Sequence, residues 1–153
     1  MIELQKVKPD ELEIVHNMQI RAFAPLLEKY QDYDGNPGAE SLERIQKRFN
    51  AQNRNYFFIV ADNLKVGVIQ VWVREDGWKK IAPIFVDPDF QNCGYAQKAM
   101  LLAEDLFGKE NWCLDTVKEE KKLCHLYEKM GYKLTGHEES ISDIETLVEY
   151  KKS

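Results

Sequence analysis

The segment Ile84-Phe85-Val86-Asp87-Pro88-Asp89-Phe90-Gln91-Asn92-Cys93-Gly94-Tyr95-Ala96 carries the most readable chemistry in this chain: an apolar strand runs through a turn into a helix. Gly94 and Ala96 put little bulk at the turn, so a ligand can approach the main chain, and the first N–H groups of a helix have no intrahelical acceptor. Those donors, with the positive end of the helix dipole, suit an anion such as a phosphate. The spacing is neither of two common phosphate loops, since no Gly-Lys-Ser/Thr follows and no GxGxxG is present. An ordinary helix start with small residues is the competing reading. A second cluster, Glu28, Tyr30, Asp32, Tyr33 and Asp34, combines carboxylates and aromatic rings that suit a cationic amine, and Trp72 and Arg74 are expected on a neighbouring strand. Its alternative is a solvated acidic loop.

The remaining reactive side chains are assigned structural roles. Cys93 lies at a helix N-terminus, where thiol pKa values fall, but no His and Asp are spaced to activate it. Cys124-His125, His16 and His137 form no CxxC or HxxxH, so no metal is expected.

The elements that must hold these residues follow from periodicity and punctuation. Residues 2–8 suggest a short strand before Pro9-Asp10. From Asp10, a candidate N-cap, Leu12, Val15, Met18, Ile20 and Ala22 make a helical stripe that Pro25 is expected to kink or end. Turn formers from Asp34 to Gly38 precede a second helix marked by Ser41, Leu42, Ile45 and Phe49. Tyr56 to Ala61 and Val66 to Arg74 read as a hairpin around Asp62-Asn63-Leu64-Lys65. A strand from Lys80 to Val86 contains Pro83, which cannot donate to a ladder and signals an edge or a bulge. A helix runs from just after Gly94 to Gly108, a strand from 112 to 117, and a helix carrying Leu123, Leu126, Tyr127 and Met130 stops at Gly131. Two closing strands, 132–137 and 145–150, complete the order β-α-α-β-β-β-α-β-α-β-β. The predicted class is α/β, with a mixed, partly antiparallel sheet flanked by helices.

The 153 residues suit one compact domain, and a 44% apolar fraction is enough for a core. With 21 basic against 26 acidic residues the net charge is −5, which argues against nucleic acid and anionic membranes as partners. Three cysteines cannot close a disulfide framework, and there is no export signal or long apolar run. A cytoplasmic location is expected.

Two motifs carry a resemblance. Gln91 to Ala96, after a strand ending Val86-Asp87-Pro88, resembles the Gln/Arg-x-x-Gly-x-Gly/Ala pyrophosphate loop of the GNAT N-acetyltransferase superfamily. Leu126-Tyr127-Glu128-Lys129-Met130-Gly131-Tyr132 is similar to that family's Leu-Tyr-Glu-Lys-x-Gly-Phe signature, with the strand 112–117 between the two. With the element order, the likeness covers nearly the whole chain and implies an N-acetyltransferase domain over 1–153.

The resemblance implies acetyl-CoA as cosubstrate. Main-chain N–H groups of Gln91, Asn92, Cys93, Gly94, Tyr95 and Ala96, with Gln97 beside them, would hold the pyrophosphate, and the pantetheine would lie along Ile84, Phe85 and Val86. A main-chain donor near Ile84 would stabilise the thioester oxyanion. Tyr127 would be the general acid toward the leaving thiolate, as an amine attacks directly in a ternary complex. The acceptor would be a primary amine of a small molecule or peptide, with Tyr30, Tyr33, Asp34 and Trp72 as candidate contacts, and a homodimer is expected. Two positions depart from the pattern. Glu120 stands where the family often has an Asn that contacts the cofactor, and Lys79-Lys80-Ile81-Ala82 supplies no Glu as general base. Glu75, Asp115 and His125 are bases by residue type only, and a water chain is the alternative. An acyl-CoA binding or sensing module that lost turnover, and an interaction domain with chance matches, are the competing readings.

Overall fold

The computed structural model describes residues 1–153. In chain order the elements are β1 (Ile2–Lys6), α1 (Leu12–Tyr30), α2 (Leu42–Phe49), β2 (Arg54–Ala61), β3 (Leu64–Val73), β4 (Lys79–Val86), α3 (Tyr95–Phe107), β5 (Trp112–Val117), α4 (Lys121–Lys129), β6 (Lys133–Ser140) and β7 (Thr146–Lys152). That order is the one read from periodicity. The strands form one sheet, β1-β2-β3-β4-β5-β7-β6, antiparallel throughout except between β4 and β5.

Central strands buried on both faces read as continuous apolar runs, and β2 and β3 do so because each face carries its own helices. Phe57, Ile59, Ile69 and Val71 pack with Ala99, Met100 and Ala103 of α3 on one face. Tyr56, Phe58, Val60 and Val68 pack with Val15, Met18 and Ile45 of α1 and α2 on the other. The hairpin turn is tighter than expected: only Asp62 and Asn63 link β2 to β3, both at positive φ (50° and 66°), the geometry that matches the strand twist. Gly67 lets β4 close on β3, since a Cβ there would collide with the Phe85 carbonyl oxygen.

The first helix corrects two expectations. Its N-cap is Glu11, after a 3₁₀ turn over Pro9–Glu11, rather than Asp10. Pro25 does not end it: α1 continues to Tyr30, where the Gln31 N–H closes on the Leu27 carbonyl. Pro25 is exposed, so the Arg21 carbonyl deprived of its donor faces water, while buried Tyr30 anchors the turn beyond. The stripe also differs, because Ile20 faces solvent and Gln19 is fully buried, donating to the Pro37 carbonyl (2.8 Å) and the Glu40 carboxylate (3.1 Å).

The feature that positions the site is a parting of the sheet. β4 and β5 pair only at Lys79↔Trp112 and Lys80↔Cys113. Beyond that point β4 stays with β3 as far as Val86 and β5 stays with β7 as far as Val117, so the facing edges of 81–86 and 114–117 have no strand partner. A bulge accompanies the parting. Register passes from Ile69↔Ile84 to Val71↔Ile81, leaving Gln70 opposite both Ala82 and Pro83. Pro83 therefore marks a bulge, in a stretch of β4 whose β5 side is a free edge, and bulges bend the strand that carries them. Fully buried Gln70 donates from Nε2 to the Ala82 carbonyl.

Three bonds pin the closed end of the parting: Lys79 N–H to the Asn111 carbonyl, Lys79 Nζ to the Phe107 carbonyl and Trp112 Nε1 to the Gly108 carbonyl, each 2.8 Å. The last two satisfy carbonyls at the C-terminus of α3. The open end is crossed by α1. Arg21 binds Asp87 after β4 (3.2 Å), and Lys29 (2.7 Å) and Tyr30 (2.6 Å) bind Glu120 after β5. From Arg21 to Tyr30 the helix rises roughly 14 Å.

Candidate active site

The turn from β4 to α3 is built on Asp87, whose carboxylate accepts the Asp89 N–H (3.0 Å) and anchors a 3₁₀ turn over Pro88–Phe90. Asn92 (φ 64°) and Gly94 (φ 77°) then adopt left-handed conformations. The first intrahelical bond of α3 runs from the Lys98 N–H to the Gly94 carbonyl, and no protein acceptor meets the N–H groups of Gln91 through Gln97. Gly94 has no cap side chain and nothing within 4 Å of where a Cβ would sit. Successive free donors around left-handed residues, at the positive end of a 13-residue helix, form an anion-binding concavity. Gln91 through Gly94 are exposed, and Tyr95, Ala96 and Gln97 half-buried. The Cys93 thiol is turned back to the Gln91 carbonyl (3.6 Å).

This cradle opens directly onto the parted edge of β4. Ile84 and Val86 are half-buried there, while Phe85 points to the opposite face and packs edge-on to Phe23 of α1 at 5.6 Å. Tyr127, on α4, lies in the cluster that contains Ile81 and Leu114, with Ile84 and Val86 packed against it. Its ring is T-shaped to Tyr132 (6.1 Å) and tilted against Tyr150 (6.2 Å). Burial, with a smaller contribution from Cys124, pushes its pKa up to about 12, and no hydrogen bond from the protein acts on the hydroxyl. It holds its proton at neutral pH and has that proton free to donate.

Other predicted residues are engaged within the protein. Glu120 and Tyr30 satisfy each other, and the hydrogen bonds from Lys29 and then Tyr30 hold the Glu120 carboxyl below its usual range. Tyr33 is exposed and donates to Gln31, and with Asp34 it lines a concavity of about 170 Å³ that also meets Glu40, Arg44 and Arg48. Trp72 stands apart, with the Arg54 guanidinium 3.9 Å and the Arg74 guanidinium 5.8 Å from its ring. Of the bases considered by type, Glu75 and His125 are exposed and Asp115 is paired with Lys80 at 2.8 Å.

Two groups carried no sequence signal. Glu145, immediately before β7, is 3% exposed, and its Oε1 has no partner. Burial, then Asp32 and Glu119, raises its pKa. Its charged neighbour Asp32 lies 113 positions earlier in the chain (145 − 32), a proximity that local spacing does not encode. Glu40 and Arg48 form a bidentate pair, to which Tyr56 adds its hydroxyl at 3.2 Å from Arg48. Burial alone would raise the Glu40 carboxyl, but Arg48 and Gln19 hold it below the ordinary value.

The profile of the Acetyltransferase (GNAT) family matches residues 20–132, from within α1 to the end of the Tyr127 motif. The chain belongs to the GNAT acetyltransferase family. It is 23% identical over 140 residues to spermidine N(1)-acetyltransferase of Escherichia coli K12, covering 88% of this chain and 74% of that one. Among solved structures, spermidine N-acetyltransferase from Vibrio cholerae in complex with CoA and spermine superposes with a TM-score of 0.76 at 18% identity, over 97% and 93% of the two chains. The ribosomal-protein-S18-alanine N-acetyltransferase of Escherichia coli gives 0.74 at 15% identity, over 98% and 92%. The protein is thus an acetyl-CoA-dependent N-acetyltransferase with the GNAT fold. No helix is long and apolar enough to cross a membrane.

Proposed function

We propose that this GNAT protein moves the acetyl group of acetyl-CoA directly onto a primary amine of a small molecule or peptide, with Tyr127 as general acid. The observation that carries this reading is the run of unmet N–H donors from Gln91 to Gln97 opening onto the parted edge of β4. The residues fit the cosubstrate by chemistry: main-chain donors and a helix dipole for a diphosphate, and an unpaired strand edge for the amide groups of pantetheine. Ile84 and Val86 supply apolar walls, and a main-chain donor beside Ile84 would stabilise oxyanion charge in a partly dry cleft.

The acceptor nitrogen reaches the thioester as a neutral amine, having released its ammonium proton to solvent. As its lone pair forms the C–N bond, the C–S bond breaks, and the Tyr127 hydroxyl gives its proton to the departing thiolate sulfur. The new amide sheds its extra proton to water, and solvent returns a proton to the Tyr127 phenolate. A free alkyl amine has a pKa near 10, so modest help suffices at neutral pH. The spermidine acetyltransferases among its relatives act on amines too, which supports the reaction class.

The test pairs calorimetry with thiol release. Acetyl-CoA binds the wild-type chain, and a panel of amines releases free thiol. Tyr127→Phe retains acetyl-CoA affinity while kcat falls about 10²-fold or more. Equal kcat removes the acid role, and binding without release on any amine favours the sensing module.

A further inference from the structure

Four basic side chains, Arg44, Lys47 and Arg48 of α2 and Arg54 of β2, line a concavity of about 390 Å³ with Ala51. Only Arg48 has a carboxylate partner, Glu40; none is within ion-pair distance of Arg44, Lys47 or Arg54. Three cations that make no close ion pair, of which Arg44 also acts at longer range on Glu40, share one hollow in a chain whose net charge is −5. The strain is visible at Arg54, whose pKa is lowered by burial and then by repulsion from Arg48.

The hollow connects to the reaction site. Arg54 lies flat against Trp72, and its Nη1 donates to the Gln70 Oε1 at 3.3 Å. Gln70 in turn holds the Ala82 carbonyl in the β4 bulge, beside the parted edge. Arg54 and Trp72 are directly opposed on β2 and β3, and Trp72 is opposed to Lys80 on β4. That row ends at Cys113, where β4 and β5 still pair, and the gap begins just beyond it, at Ala82, which Gln70 holds; the Arg54 guanidinium, drawn over β3 onto Gln70, is therefore about two strand spacings, roughly 10 Å, from the start of the gap.

We propose that this arginine-lined hollow binds an anionic group of the acceptor, so that the amine acetylated by this protein carries a carboxylate or phosphate roughly 10 Å from its nitrogen. The inference rests on the acyl-transfer reading for the identity of the ligand, but not for the anion site itself. A polyamine, cationic along its length, would meet three unbalanced positive charges at this position. An extended acidic tripeptide spans about the right distance. Planar guanidinium groups suit carboxylate and phosphate oxygens, and hydrogen bonds between charged groups give the largest selectivity.

Two measurements test it. Inorganic phosphate is titrated while Trp fluorescence is followed, since Trp72 stacks on Arg54. Saturable change in the wild-type chain, lost in Arg44→Ala/Arg54→Ala and retained in part by Arg54→Lys, is the expected result; no saturable change in the wild-type chain overturns the site. Thiol release is then compared for Gly-Gly-Glu, Gly-Gly-Gln amide and spermidine. The acidic peptide should lead in kcat/KM by roughly tenfold or more, and the double variant should raise its KM by a similar factor with acetyl-CoA affinity unchanged. Equal use of acid and amide, or a preference for spermidine indifferent to the arginines, overturns the acceptor class. Phosphate binding with no release on any amine would instead defeat the acyl-transfer reading and leave the anion site standing.

Discussion

At the scale of single residues, two glycines do different work. A Cβ at Gly94 would meet no atom beyond its chain neighbours within 4 Å, so the requirement for glycine is conformational: φ of 77° costs a non-glycine residue about 1–2 kcal/mol. Gly94→Val should therefore fold, lose stability by about that amount in denaturant titration, and weaken acetyl-CoA at least roughly tenfold in calorimetry, because its side chain enters the space a diphosphate would use. Gly67 is a packing glycine. Gly67→Ala must push β4 off β3 and should cost about 1–3 kcal/mol, read as a lower urea midpoint, with a weaker effect on the more distant α3 cradle. Tyr127 is a buried core aromatic, and no protein group hydrogen-bonds its hydroxyl.

At the scale of elements, α1 acts as a strap across the parted strands, tied at Arg21–Asp87 and at Tyr30–Glu120. Tyr30→Phe removes the only neutral donor to a carboxylate held below its normal pKa, and should cost about 1.5 kcal/mol and speed amide hydrogen exchange in residues 26–31. The Glu120 contribution is present above its unfolded pKa and fades as pH falls through the lower folded value, so the wild-type and variant exchange rates should converge in acid. Helix α3 is tied at the other end, through Lys79 and Trp112, to the point where β4 and β5 still pair. The cradle and the cleft are in this way fixed to the same two strands.

At the scale of the whole molecule, the cluster of Tyr127, Tyr132 and Tyr150 sets the alkaline limit. Burial raises all three pKa values above that of an exposed phenol. Groups with raised folded pKa values stabilise fully below the unfolded value, near 10, and lose that contribution as pH rises through the folded one. Unfolding free energy should therefore hold to about pH 9 and fall steeply above 10. Tyr127→Phe should flatten that slope, which chemical denaturation at pH 8, 9.5 and 11 would read.

Element order, the hairpin, the helix ends at Gly108 and Gly131, and the small-residue turn before α3 were legible in the sequence, because they depend on local period, turn chemistry and helix termini. Pro83 announced an interruption but not its kind; whether a missing donor makes an edge or a bulge depends on which strands flank it. Helix α1 outlasted Pro25 because solvent meets the freed carbonyl and Tyr30 is held by Glu120, a partner 90 positions away. The acidic stretch from Glu28 to Asp34 read either as a cation site or as a solvated loop, and folding brings Glu40, Arg44 and Arg48 beside Tyr33 and Asp34. The chain alone determined a turn of small residues with free main-chain donors at the start of α3, because that depends only on local turn and helix-terminus chemistry. What only three dimensions decided is how α2 packs beside β2, which brings Arg54 into one hollow with Arg44, Lys47 and Arg48 of the preceding helix.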